Sequence, residues 1–310
     1  MKMDTEQQQK IIVICGPTGI GKTSTAIRLA QEFSGEIVSA DSMQVYREMD
    51  IGTAKPTSKE QQQVPHHLID VVSPDEPFDA AVFSQMADTA IADLTGRNRL
   101  PFVVGGTGLY IKALVHGLSR ARPADEAVLH RLKEEADRLG SEVLHQRLTA
   151  CDPQAAERIH PNDAFRIIRA LEIFESTGQP ITRYHEEHQF ADRKYLALKI
   201  CLSSEREILY ERIDRRVDIM LQQGLLKEVE KLLKKGYVRE MKSMQSLGYR
   251  HMMEYLAQES TWEETVRTMK RDTRRYAKRQ ITWFKADPEI QWFAKDQIEE
   301  IRQEIRHFLA

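Results

Sequence analysis

The first regular feature of the chain is a short apolar run, Ile11 to Cys15, which enters a glycine-rich turn and leads into a helix-like segment, Ser24 to Phe33. Runs of the same kind recur. Glu36 to Ala40 reads as a second strand, Leu68 to Val72 as a third and Pro101 to Val104 as a fourth. Between the last two, Ala81, Phe83, Met86, Ala90 and Leu94 are spaced for one apolar helical face over Asp79 to Leu94. Strands alternating with helices, with glycine at strand ends, predict an α/β fold: a parallel sheet flanked by helices.

The pattern changes near Gly117. Strand composition is absent from there until Tyr195 to Leu202, which returns to it. The intervening 117–193 reads as an all-helical insertion domain within a core made of 1–116 and 194–310. Its helix Ala164 to Thr177 puts Ile167, Leu171 and Phe174 on one face and Arg166 and Arg169 on another, with Asn162 as the expected N-cap. Beyond the returning strand the chain is helical. Ser204 to Glu207 and Thr261 to Glu264 both have capping-box spacing, and Gly224 and Gly236 follow helical stretches.

Composition narrows this little: 41% hydrophobic and 30% charged residues describe a globular chain. The polar, Gln-rich start and the lack of a long apolar run predict neither signal peptide nor membrane span. Cys15, Cys151 and Cys201 lie far apart, as expected of reduced cysteines in a cytoplasmic protein. The net charge of −2 is uninformative beside its distribution. Between Arg267 and Lys285 eight basic residues face Asp272 alone, and Arg267, Arg271, Arg274 and Lys278 fall on one helical stripe with Tyr276, Trp283 and Phe284 interleaved. A solvated face is the ordinary reading of such a run; in a slightly acidic protein, binding to a polyanion is the better one.

The chemistry is most legible at Gly16-Pro17-Thr18-Gly19-Ile20-Gly21-Lys22-Thr23, which has P-loop spacing between a strand and a helix. Such glycines let backbone N–H groups converge on a phosphate, with a helix N-terminus behind them. Lys22 adds a point charge and Thr23 a hydroxyl for Mg²⁺. Asp41, just past the second strand, should lie near the bound phosphates, although Ser39 to Ser42 also suits a turn or N-cap. Gly105, Gly106 and Thr107 form a rim at the end of the fourth strand. His66 and His67 point in different directions on a strand, which favours structural hydrogen bonds over a shared metal. These parts admit a small-metabolite kinase, another enzyme handling phosphorylated ligands, or an RNA-binding protein without turnover.

The order of motifs is more specific. After the P-loop come Ser39-Ala40-Asp41-Ser42-Met43-Gln44-Val45-Tyr46, Gly52-Thr53-Ala54-Lys55-Pro56, Pro65-His66-His67-Leu68-Ile69-Asp70 and Gly105-Gly106-Thr107-Gly108-Leu109-Tyr110. Asn162-Asp163 through Arg169-Ala170-Leu171-Glu172, Ser246-Leu247-Gly248-Tyr249-Arg250 and Ala277-Lys278-Arg279-Gln280-Ile281-Thr282-Trp283 follow. Over nearly its whole length the chain resembles the tRNA dimethylallyltransferase family, also called tRNA isopentenyltransferases, without the zinc-finger-like extension of some eukaryotic members.

The resemblance implies a P-loop NTPase-like core whose loop, Gly16 to Thr23, holds dimethylallyl diphosphate rather than ATP. It implies transfer of the dimethylallyl group to the exocyclic amine of the adenosine just 3′ of the tRNA anticodon. Asp41 is then the general base, Thr18 contacts the bridging oxygen, Arg216 neutralises the diphosphate, and Thr23 holds Mg²⁺. Ser42 and Gln44 match positions that contact the target adenosine, and Asp41 and Met43 count with them as tRNA-binding. Thr107 and Asn162, Asp163, Ala164, Phe165 and Arg166 match tRNA-contacting positions, to which the basic stripe adds Arg271, Arg274 and Lys278. A monomer is expected. The competing readings are an isopentenyltransferase acting on free adenine nucleotides and a P-loop small-molecule kinase.

Overall fold

The structure, a computed structural model, describes residues 8–117, 125–188 and 194–310. The first seven residues of the polar start and two stretches of the predicted insertion, 118–124 and 189–193, lie outside the described residues.

Ile11 to Ile14 are buried completely, the mark of a central strand covered on both faces. That strand is β1 (Lys10–Cys15). It leads through the P-loop into α1 (Lys22–Glu32), then β2 (Gly35–Ser39), α2 (Ser58–Gln63), β3 (His66–His67), α3 (Ala80–Gly96), β4 (Leu100–Gly105) and α4 (Gly108–His116). Five helices follow: α5 (Glu126–Leu139), α6 (Ser141–Cys151), α7 (Pro153–Arg158), α8 (Ala164–Thr177) and α9 (Ile181–His188). The chain then returns through β5 (Leu196–Ser203), α10 (Arg206–Gln223), α11 (Leu225–Lys234), α12 (Tyr249–Leu256), α13 (Trp262–Lys285), β6 (Ile290–Ala294) and α14 (Ile298–Leu309).

The six strands form one parallel sheet in the order β3-β2-β4-β1-β5-β6. Strands from the first part of the chain lie to one side of β1 and the later ones to the other. The P-loop therefore leaves the sheet where its winding reverses, the position at which open α/β sheets bind ligands. Register carries the other carboxyl ends to the same rim. Cys15 pairs with Gly105 and with Cys201, and Ser39 pairs with Val104.

The chain divides into two compact units, one of residues up to Val115 with Lys194–Ala310, the other His116–Arg193. The first is cored by Ile12, Ile14, Leu29, Phe102, Ile200 and Ile213 among others. Each such side chain contributes roughly 1.5–3 kcal/mol on burial. The second has its own core around Leu132, Leu144, Leu148, Ile167 and Leu171. Within it, buried Asp152 caps α7 through the Ala155 amide at 3.0 Å and accepts from the Thr182 amide and hydroxyl at 3.1 and 2.9 Å. Among the described residues no helix is long and apolar enough to cross a membrane.

Several local expectations need correction. The third strand is His66–His67 alone, because Leu68 and Asp70 have φ of 63° and 56° and break the extended run. The two histidines are held as predicted, His67 by Glu36 at 2.8 Å and His66 by the Val64 carbonyl at 2.8 Å. The buried face of α3 is Ala80, Phe83, Ser84, Ala87, Ile91 and Leu94, so Ala81, Met86 and Ala90 lie outside it. Asp163, not Asn162, caps α8, accepting from the Arg166 amide at 3.2 Å. The capping box at Ser204 does not form: α10 starts from Glu205 with no side-chain cap. At α13 half the box forms, since Thr261 accepts from the Glu264 amide while the Glu264 carboxylate turns to Arg267.

Candidate active site

Gly16, Gly19 and Gly21 have φ of 142°, 80° and 102°, so the loop follows a path that other residues rarely adopt. Gly21 is also the N-cap of α1 and brings no side chain to its free N–H groups, leaving them for an anion. Lys22 Nζ donates to the Gly16 and Pro17 carbonyls at 3.0 Å each. Burial first, and the Arg216 charge after it, lower the Lys22 pKa to about 8 against the opposing pull of Asp41.

Two cavities meet at this loop. The first, about 490 Å³, is lined by Lys22, Thr23, Gln44, Lys55, Arg212 and Arg215 among others. The second, about 520 Å³, is lined by Ser42, Met43, Met220, Leu247, Met269 and Arg279 among others. Thr18, Asp41, Thr53, Arg216 and Tyr276 line both, and so form a shared wall.

Asp41 leaves β2 into a turn in which its Oδ1 accepts from the Met43 amide at 2.9 Å and the Gln44 amide at 3.3 Å. The turn-capping reading of this residue is therefore correct for one oxygen. Among the described residues Oδ2 has no hydrogen-bond partner, and it remains able to take a proton. Burial lowers the pKa of Arg216, the Arg212 charge lowers it further, and Asp41 opposes both. Burial, then the charge of Asp41, raises that of Tyr276.

The sequence-predicted residues separate on inspection. Thr18, Asp41 and Arg216 stand together at the shared wall. Ser42 and Met43 face the second cavity. Gln44 is occupied within its own chain, accepting from the Ser39 hydroxyl at 3.1 Å and donating to the Thr53 and Ala54 carbonyls at 3.4 and 3.3 Å. Thr107 Oγ1 accepts from the Ser42 amide at 3.0 Å, which positions that turn. Ile20 is fully buried in the core. In the other unit Phe165 is 82% exposed and Arg166 is paired with Asp163.

The basic stripe is not uniform. Arg267 pairs with Glu264, Lys270 with Asp218, Arg271 with Asp272 at 2.9 Å, and Arg274 with Asp214 at 2.5 Å. Lys278 and Lys285 have no carboxylate partner among the described residues. Arg271 and Arg274 are thus ion-paired within the protein, and the charges without a carboxylate partner among the described residues lie toward the C-terminal end of α13.

Sequence reasoning placed Gln280 in a family motif and Tyr276 beside the basic stripe but gave neither a role in the site. The available signal was a glutamine on the buried stripe of α13, between Ala277 and Phe284.

A family model described as IPP transferase matches residues 44–287, and one described as isopentenyl transferase matches residues 9–73. The tRNA dimethylallyltransferase of Desulfosudis oleivorans is 58% identical over 301 residues, 97% of this chain and 96% of that protein. The chain belongs to the tRNA dimethylallyltransferase family. The family likeness extends to solved structures. The full-length tRNA isopentenylpyrophosphate transferase of Bacillus halodurans is 44% identical, with a TM-score of 0.73 over 97% of both chains. A eukaryotic dimethylallyltransferase acting on tRNA is 32% identical, with a TM-score of 0.77 over 92% of this chain and 74% of that one. The sheet and phosphate loop are those of the P-loop NTPase-like fold that the family shares.

Thr23 lines the first cavity, and its hydroxyl has no hydrogen-bond partner among the described residues. Among the described residues no cluster of three or more His, Cys, Asp or Glu side chains is arranged for a metal. This donor set suits Mg²⁺, which takes one or two protein oxygens and completes its shell with substrate phosphate and water.

Proposed function

We propose that the protein transfers a dimethylallyl group from dimethylallyl diphosphate to the exocyclic amine of the adenosine 3′-adjacent to the anticodon of tRNA. The observation that carries this reading is the wall of Thr18, Asp41 and Arg216 between a phosphate-binding cavity and a second one lined by α13.

The P-loop amides and Lys22 bind the diphosphate, and Arg216 faces the negative charge that builds as the allylic C–O bond breaks. Thr18 bears on the bridging oxygen. Thr23 would hold Mg²⁺, which supplies further charge stabilisation on the leaving group. On the other side the target adenine enters from an unpaired loop, where bases are free to splay out. Its exocyclic nitrogen is a poor nucleophile and becomes cationic on attack, so Asp41 Oδ2 takes its proton. Ser42 and Met43 border the ring, while Gln44 and Thr107 hold the turn that presents them. Lys278 meets tRNA phosphate, and the helical unit meets tRNA through Asn162 to Arg166, where Phe165 offers an exposed ring. The protein's free cysteines suit the cytoplasm.

Incubation with labelled dimethylallyl diphosphate and unmodified tRNA, with AMP and ATP as parallel acceptors, tests this. Label is expected on tRNA adenosine. Label on the free nucleotides alone, or tRNA-stimulated ATP hydrolysis without label transfer, would overturn it.

A further inference from the structure

Gln280 is 7% exposed, and both ends of its amide are engaged. Oε1 accepts from the Thr18 amide at 2.8 Å, across 262 residues of sequence, and Nε2 donates to the Gly106 carbonyl at 2.9 Å. One partner only donates and the other only accepts, so the side chain has a single orientation. Gly106 makes room for it: a Cβ there would lie 2.2 Å from Nε2.

Thr18 needs such an anchor. It lies between Gly16 and Gly19, both at positive φ, and within the loop its peptide is held through the Pro17 carbonyl, by Lys22 Nζ at 3.0 Å and the Ile20 amide at 3.4 Å, which leaves its N–H to be held from elsewhere. The Thr18 amide is thus fixed from outside, by a helix whose Asp272, Thr273, Arg275, Tyr276 and Arg279 line the second cavity.

We infer that Gln280 is a positioning residue for the transfer reaction: it holds Thr18 at the shared wall, so that the helix lining the acceptor cavity sets the geometry of the donor cavity. This rests on the prenyl-transfer reading above. Gln280→Met keeps the length of the side chain and removes both hydrogen bonds. With Thr18 displaced by a fraction of an ångström to an ångström, kcat at saturating substrates should fall roughly 10–10²-fold. The Kd for tRNA should stay within about threefold, because a positioning defect appears in turnover rather than in binding. A kcat within about threefold of the parent, or a tRNA affinity that falls by the same factor as kcat, would overturn the inference.

Gln280→Glu provides a second measure. Its carboxylate still accepts from Thr18 but opposes the Gly106 carbonyl until it is protonated, when it donates there. The ratio of variant to parent kcat should therefore rise as pH falls, and a ratio independent of pH would overturn the assignment. If the parent protein places no label on tRNA, both readings fail; if it does and Gln280→Met matches it, only the role of Gln280 fails.

Discussion

On the P-loop side of Asp41 the lining is backbone amide, hydroxyl and cation, with Lys22, Lys55, Arg212, Arg215 and Arg216 around one space. On the other side Met43, Leu247, Met220 and Met269 share the lining with Gln245 and Ser246 and with the charged Arg250, Asp272, Arg275 and Arg279. A diphosphate is held by fixed dipoles and charges that need no rearrangement as its charge grows. A flat heteroaromatic ring is held by soft, adaptable side chains and a few polar groups at its edge. The contrast supports the proposal that donor and acceptor lie on opposite sides of one carboxylate. It also explains why Asp41 sits on the wall rather than inside either cavity.

The sharpest way to break this comparison is at the wall itself. Asp41→Asn keeps an oxygen to accept from the Met43 and Gln44 amides, so the turn survives while the base is lost. Transfer should drop by roughly 10²–10⁴-fold with thermal stability nearly unchanged. Transfer at the parental rate would leave Asp41 as a turn cap only. Arg216→Gln removes a charge aimed at the leaving group and should cost roughly 10²–10³-fold in kcat. Were the loss confined to tRNA affinity, Arg216 would belong to the acceptor side.

A smaller effect separates the cavities by pH. Lys22 loses its proton as pH rises through about 8, well below its ordinary value, because burial disfavours the ammonium. Above that pH the neutral amine must take up a proton to meet the diphosphate. Affinity for the diphosphate should then weaken by up to about tenfold per pH unit. Titration calorimetry in buffers of different ionisation enthalpy should detect the proton uptake, and Lys22→Met should abolish it. The same shift makes the folded protein gain stability as pH rises from about 8 towards the unfolded lysine value, since there the unfolded state binds more protons.

The smallest effects divide α13. Lys278→Ala should reduce the slope of log affinity for tRNA against log salt by roughly 0.7–0.9, one phosphate contact. Arg274→Ala should leave that slope unchanged and instead cost up to about 1 kcal/mol of stability, because its charge is already held by Asp214. Equal slopes for the two variants would restore a uniformly basic face.

How much of this was legible follows from distance along the chain. The P-loop is a local device: spacing, left-handed glycines and the start of α1 all lie within eight residues, so the motif reads directly as structure. The placement of Asp41 needed only the rule that ligands lie beyond strand ends. The charge count on α13 did not show that Arg271 and Arg274 are ion-paired, because the reach of Asp272 to Arg271 is not read from a tally and Asp214 lies 60 residues from Arg274. Leu68 to Val72 has the composition of a strand, yet two residues at positive φ turn it back toward Val45 and Tyr46. Propensity cannot report that, because the turn is held by the partner segment.

The order of residues by itself therefore determined the phosphate-binding loop, the parallel α/β sheet and the identity of the carboxylate beside it, since each rests on contacts between near neighbours or on a strand's own hydrophobic pattern. Only the tertiary structure decided which cations remain free, that two cavities share one wall, and that Gln280 reaches Thr18. Those depend on hydrogen bonds and ion pairs between segments that only folding brings within 3 Å, where burial makes each partner's geometry count.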